Sequence, residues 1–97
     1  MAAVEADAAR KAAGQIERLT RDLQARGYAA RLVIVGGYMA VSVAHRAMRR
    51  MPETVTVAPA TDGTWWFWWS WGDPIACASD VDAAAFKIAY VLTPTGT

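Results

Sequence analysis

The chain is short of almost everything from which catalytic and metal sites are built. In 97 residues it has one cysteine, Cys77, and one histidine, His45. A single cysteine excludes an intrachain disulfide, and with it the disulfide-stapled class of small secreted domain. One histidine without clustered cysteines gives no workable ligand set for a transition metal, so neither a metal nor another cofactor is expected. Excess charge is also lacking. Ten Lys and Arg against nine Asp and Glu leave a formal net charge of +1, too little to draw nucleic acid or an anionic membrane by its field. The longest mostly apolar stretch, residues 32–44, is broken by Gly36-Gly37 and is too short to cross a bilayer as a helix. Glu5 and Asp7 stand near the start with no apolar signal-type segment, so no secretory signal and a cytoplasmic location are expected. There are no internal repeats and no low-complexity segments.

What the chain has in abundance is apolar residues, 55% of the total, which is incompatible with disorder. Its length suits one domain with one modest core and two layers. All five tryptophans fall in one window, Trp65-Trp66-Phe67-Trp68-Trp69-Ser70-Trp71. As a β-strand, this window sends Trp65, Phe67, Trp69 and Trp71 to one face and Trp66, Trp68 and Ser70 to the other. Two indoles carry roughly 400 Å² of mostly apolar surface, and hiding it is worth on the order of 10 kcal/mol gross. A patch of that size left in water is usually functional. The face with Trp66, Trp68 and Ser70 is therefore expected to be an interface.

Residues 4–26 read as a helix, with Ala9, Ala12, Ile16, Leu19 and Leu23 at three- and four-residue steps. Gly27 falls where a left-handed C′ residue belongs, and Tyr28 is placed to fold back on Leu23. Arg31–Val35 and Tyr38–Val43 read as strands joined by a Gly36-Gly37 turn, the rival being one long strand with a glycine bulge. Residues 46–52 form a polar connector. Thr54–Ala58 alternates as a half-buried strand, and Asp62-Gly63 turns it into the tryptophan strand. Pro74 stops that strand, and Ile75–Ala78 reads as a short apolar connector. Ser79 followed by Asp82 has the form of a helix N-cap, opening a helix that runs to about Leu92 with Val81, Ala84, Ala85, Ile88 and Leu92 on one face. The expected fold is α+β with two layers, an antiparallel sheet of about four strands and both helices on one face (α-β-β-β-β-α). Alanines on the helix faces leave room for the large aromatics of the sheet.

Candidate reactive groups are few. His45, Cys77 and Asp73 are types that could build a thiol nucleophile with its base, but Cys77 lies between alanines and suits a small buried hydrophobe better. The acidic residues sit at helix ends and turns with no inward pair for acid–base work, and Gly36-Gly37 lacks the spacing of a phosphate loop. An enzyme is not expected. Arg46, Arg49 and Arg50 form the one basic cluster, a solvated loop or an anion contact. The tryptophan window holds no Lys or Arg, which argues against stacking on single-stranded nucleic acid. Phe86 and Tyr90, four apart on the last helix and opposite its apolar stripe, are either covered or part of a contact surface.

The stretch Trp65–Ile75, WWFWWSWGDPI, followed by a Ser-Asp-capped helix ending in Val91-Leu92, resembles a family of small uncharacterised actinobacterial proteins. The resemblance runs from about Glu53 onward. It implies a bacterial, cytoplasmic setting and carries no activity, so no functional residue is taken over from it. The residues together lead to a non-enzymatic protein-binding or adaptor module with a Trp-rich sheet face, self-associating as a homodimer or meeting a second protein partner. The interface set is Trp66, Trp68, Ser70, Phe86 and Tyr90, and the alternative is a Trp-lined pocket for an aromatic or sugar-like small molecule.

Overall fold

The computed structural model describes residues 2–45 and 52–92, with side chains from residue 7 onward in the first helix. Arg46, Arg49 and Arg50, the expected anion contact, lie outside the described residues. Helix α1 (Ala2–Ala25) is followed by β1 (Ala29–Val35), β2 (Tyr38–Ala44), β3 (Glu53–Pro59), β4 (Trp65–Trp69), β5 (Pro74–Cys77) and helix α2 (Val81–Leu92). The strands make one antiparallel meander in the order β1-β2-β3-β4-β5. The fold is α+β, with five strands where four were expected. The fifth is the segment read as a connector. It is only four residues long, and its Pro74 occupies the first position of an edge strand, where proline is tolerated.

Local chemistry sets the ends of α1. Gly27 takes a φ of 94°, the N–H of Tyr28 bonds the carbonyl of Leu23 at 3.0 Å, and that of Gly27 bonds Gln24 at 3.0 Å. These two bonds make a Schellman end. The chain enters β1 two residues later, so the last turn of α1 must lie over the start of that strand. Gln24 confirms this by donating its Nε2 to the carbonyl of Ala30 at 2.8 Å.

Gly36 and Gly37 have φ of 58° and 85°, the pair of positive angles that a two-residue type I′ turn needs. The ladder from Ala29↔Ala44 to Val35↔Tyr38 is unbroken, so the hairpin holds and the bulge does not. At α2 the cap is Asp80, whose Oδ1 accepts the N–H of Ala83 at 3.1 Å. Ser79, the expected cap, turns its hydroxyl to Cys77 instead.

The core lies between the helices and one sheet face. Val41, Val43, Val55, Val57, Phe67 and Trp69 meet Ala12, Ile16, Leu19 and Leu23 of α1 and Ala84, Ala85 and Ile88 of α2. Phe67 is 0% exposed, and Trp65 packs against the cluster partly buried. Trp71 stays on the helix side, stacked on Trp69 beside α2, but at the margin of the core it is 53% exposed. The strand ends at Trp69, and Ser70–Gly72 turn sharply around a Gly72 φ of 97°, so Trp71 lies past the ladder and is covered on one side only. Ala9, expected on the apolar stripe, is also exposed.

Candidate interaction surface

Paired residues on neighbouring strands share a face. The ladders place Val33, Ala40, Thr56 and Trp68 in one row, and Ala58, Trp66 and Cys77 in another, on the face away from the core. Trp66 and Trp68 are half-buried there, while Ser70 follows the end of β4 and is exposed. Their neighbours on β2 and β3 are small: Ala40, Ser42, Thr54, Thr56 and Ala58. The indole of Trp68 does not stand free. Its Nε1 donates to the carbonyl of Ala58 at 3.0 Å, which leans the ring over β3. A shallow depression of about 460 Å³ beside it is lined by Val35, Thr54, Thr56, Ala58, Trp68 and Ser70.

Phe86 and Tyr90 lie elsewhere. Both are exposed on α2 and border a groove of about 540 Å³ shared with Trp69, Trp71, Pro74 and Ile75. Trp71 stacks on Trp69 with ring centres 4.7 Å apart and planes 8° from parallel, and its Nε1 donates to Asp73 Oδ2 at 3.1 Å. The expected interface set is therefore split between two surfaces, one on the sheet and one on α2.

A third surface escaped the sequence reading. Leu32 and Ile34, on the core side of the β1–β2 hairpin, are exposed, Ile34 at 69%, and at the hairpin tip Val35 and Tyr38, on the Trp66/Trp68 side, are exposed as well. As sequence, both arms look like core. The short α1–β1 link fixes only the last turn of α1 over the start of β1, and nothing in the strand pattern marks Leu32 and Ile34 as uncovered. At the hairpin tip a cleft of about 730 Å³ lies among Ala8, Ala9, Val35, Tyr38, Pro59 and Trp65.

The reactive types do not converge. Cys77 on β5 shares a hydrogen bond with Ser79 Oγ at 3.2 Å and has the carbonyl of Trp65 at 3.5 Å. The bond from Ser79 holds its thiol below the ordinary thiol value. His45 follows β2 and meets Tyr28 edge-on, ring centres 5.6 Å apart at 86°. Strands β3 and β4 stand between β2 and β5, so His45 and Cys77 are not neighbours. Asp73 accepts from Trp71. Among the described residues no three His, Cys, Asp or Glu side chains gather, and no helix is long and apolar enough to cross a membrane. Neither family models, nor curated proteins, nor solved structures match this chain.

Proposed function

We propose that the protein is a non-catalytic binding module that self-associates, using the sheet face that carries Trp66 and Trp68. One observation carries the reading: both helices pack on the opposite face, so two adjacent indoles have no covering element among the described residues. Tryptophan is among the side chains most often found at the energetic centre of an interface. The bond from Trp68 to Ala58 fixes its ring in advance, which lowers the ordering cost of binding. Small residues around the indoles leave flat ground for a partner's side chains, and Ser70 gives a polar margin. A second copy packed face to face would sit ~10 Å away, as stacked sheets do, and a different protein could use the same ground. The reading includes a bacterial, cytoplasmic setting, on the resemblance of the tryptophan strand, and leaves out nucleic acid and membranes as partners, on the balanced charge. Light scattering tests it. Wild type should exceed the monomer mass, and a Trp66→Ser/Trp68→Ser double variant that keeps its circular dichroism should show a lower one. An unchanged mass contradicts the proposal.

The cleft beside Trp65 and Tyr38 favours a second reading, an aromatic or sugar-like small-molecule ligand. Its volume of about 730 Å³ falls within the range of ligand pockets, although few polar groups converge on it. Saturable quenching of Trp emission by such a ligand, lost in Tyr38→Ala, would support that reading.

A further inference from the structure

We infer that β1 is a separate self-association site, pairing antiparallel with β1 of a second copy to join two five-stranded sheets into one. The inference does not depend on the Trp66/Trp68 face.

The edge itself is the first observation. Among the described residues β1 has a strand neighbour on one side only. A two-residue turn closes on a hydrogen-bonded pair, here Val35↔Tyr38. Alternation then makes Ala29, Arg31 and Val33 bond inward to β2, while Ala30, Leu32 and Ile34 aim their N–H and C=O groups outward. The bond from Gln24 to the Ala30 carbonyl agrees with that assignment. Beyond Ala30 the outward groups of Leu32 and Ile34 form a bare template for another strand.

The two edges of the sheet are treated differently. β5 is four residues long, starts with proline, and has a register shift opposite Phe67/Trp68. Each of these features protects an edge. β1 has seven residues, an unbroken register, no proline, and a single charge, Arg31, among its inward-bonded residues.

The apolar layer continues past the cover of the helix. Leu32 and Ile34 share the core face with Val41 and Met39, yet they are 42% and 69% exposed. The last turn of α1 lies over Ala30, while its earlier residues Ala8 and Ala9 border Pro59 of β3 and Trp65 of β4, so the helix crosses inward from the edge and leaves Ile34 bare.

A two-fold axis through Leu32 answers each of these features. It overlaps all seven residues and sets Leu32 against Leu32. At both ends it sets Ala30 against Ile34, a small side chain facing a large one, with the Ala30 carbonyl taking the partner copy's Ile34 N–H on its second lone pair beside the bond from Gln24. The bare Ile34 end of each copy then lies beside the Ala30 end of the other, where that copy's α1 ends. This self-complementarity is what an isologous contact requires, and it argues for a second copy over an unrelated strand. Such pairing keeps both helix layers on one side, and both Trp66/Trp68 faces on the other.

Amide exchange read by NMR, together with mass by light scattering, tests the pairing on wild type, Ile34→Lys and Trp66→Ser/Trp68→Ser. In wild type the amides of Leu32 and Ile34 should be protected. In Ile34→Lys they should exchange at least about 100-fold faster, while Val33, bonded inward, stays slow and the mass falls. The double tryptophan variant should keep Leu32 and Ile34 protected, whatever happens to its mass. If these two amides exchange freely in concentrated wild type, or if Ile34→Lys changes neither mass nor exchange, β1 is not the contact. Should Ile34→Lys also free Val33, the hairpin itself has melted and the wild-type exchange pattern alone decides.

Discussion

Phe67 and Trp71 stand four residues apart in the chain and at opposite extremes of burial, 0% and 53% exposed. Phe67→Ala should therefore cost ~3–5 kcal/mol, the range for deleting a large aromatic from a core. Trp71→Ala should cost about 1–2 kcal/mol, because it loses one exposed hydrogen bond and a stacking contact that helps to cover Trp69. Urea titrations of the two variants check the ranking, and equal losses would refute the burial assignment. Gly14 gives a test of opposite sign. It sits inside α1, and a Cβ added there meets nothing within 4 Å. Gly14→Ala should stabilise by about 0.5–1 kcal/mol through helix propensity, seen as a higher denaturation midpoint.

The capping of α2 separates two neighbouring residues. Asp80→Ala removes the acceptor for the Ala83 N–H and should cost about 1 kcal/mol. Ser79→Ala should leave the helix intact and raise the pH at which Cys77 alkylates, because the bond that lowers the thiol pKa is gone. The β3–β4 turn has its own pH signature. Asp62 Oδ1 accepts the Thr64 N–H at 2.9 Å, which lowers its pKa from the ordinary 3.8. A folded value below the unfolded one means that the contribution is complete above about pH 4 and is lost as pH falls through the folded value. Asp62→Asn should flatten that part of the acid limb in urea titrations between pH 6 and 2. Elements with chemistry at their ends were legible in the residues: the Gly27 helix end, the two-glycine turn and the Asp62-Gly63 hairpin. β5 was not, because four residues are too few to show alternation and its register shift breaks the period at Ile75. The cap was misread by one position, since Ser79 and Asp80 both suit it and only the thiol of Cys77 decides between them. The exposure of Ile34 depends on how α1 crosses the sheet, a tertiary fact that no pattern within β1 contains.

At the scale of the whole molecule, a sheet covered on one face leaves three apolar surfaces: the Trp66/Trp68 face, the groove beside Phe86, Tyr90 and Trp71, and the β1 edge. None of the three brings a base to a nucleophile or gathers metal ligands among the described residues. Association is what such surfaces are suited to, and the central claim is that the helix-free sheet face is one of the contacts. The most direct measurement is ¹⁹F NMR of protein labelled with 5-fluorotryptophan, which gives one resonance for each of the five tryptophans, followed over a protein dilution series. The Trp66 and Trp68 resonances should shift together as the mass falls, while those of Trp65 and Trp69, packed in or against the core, should stay in place. Trp66 and Trp68 resonances that do not move across a dilution that dissociates the protein would contradict the claim.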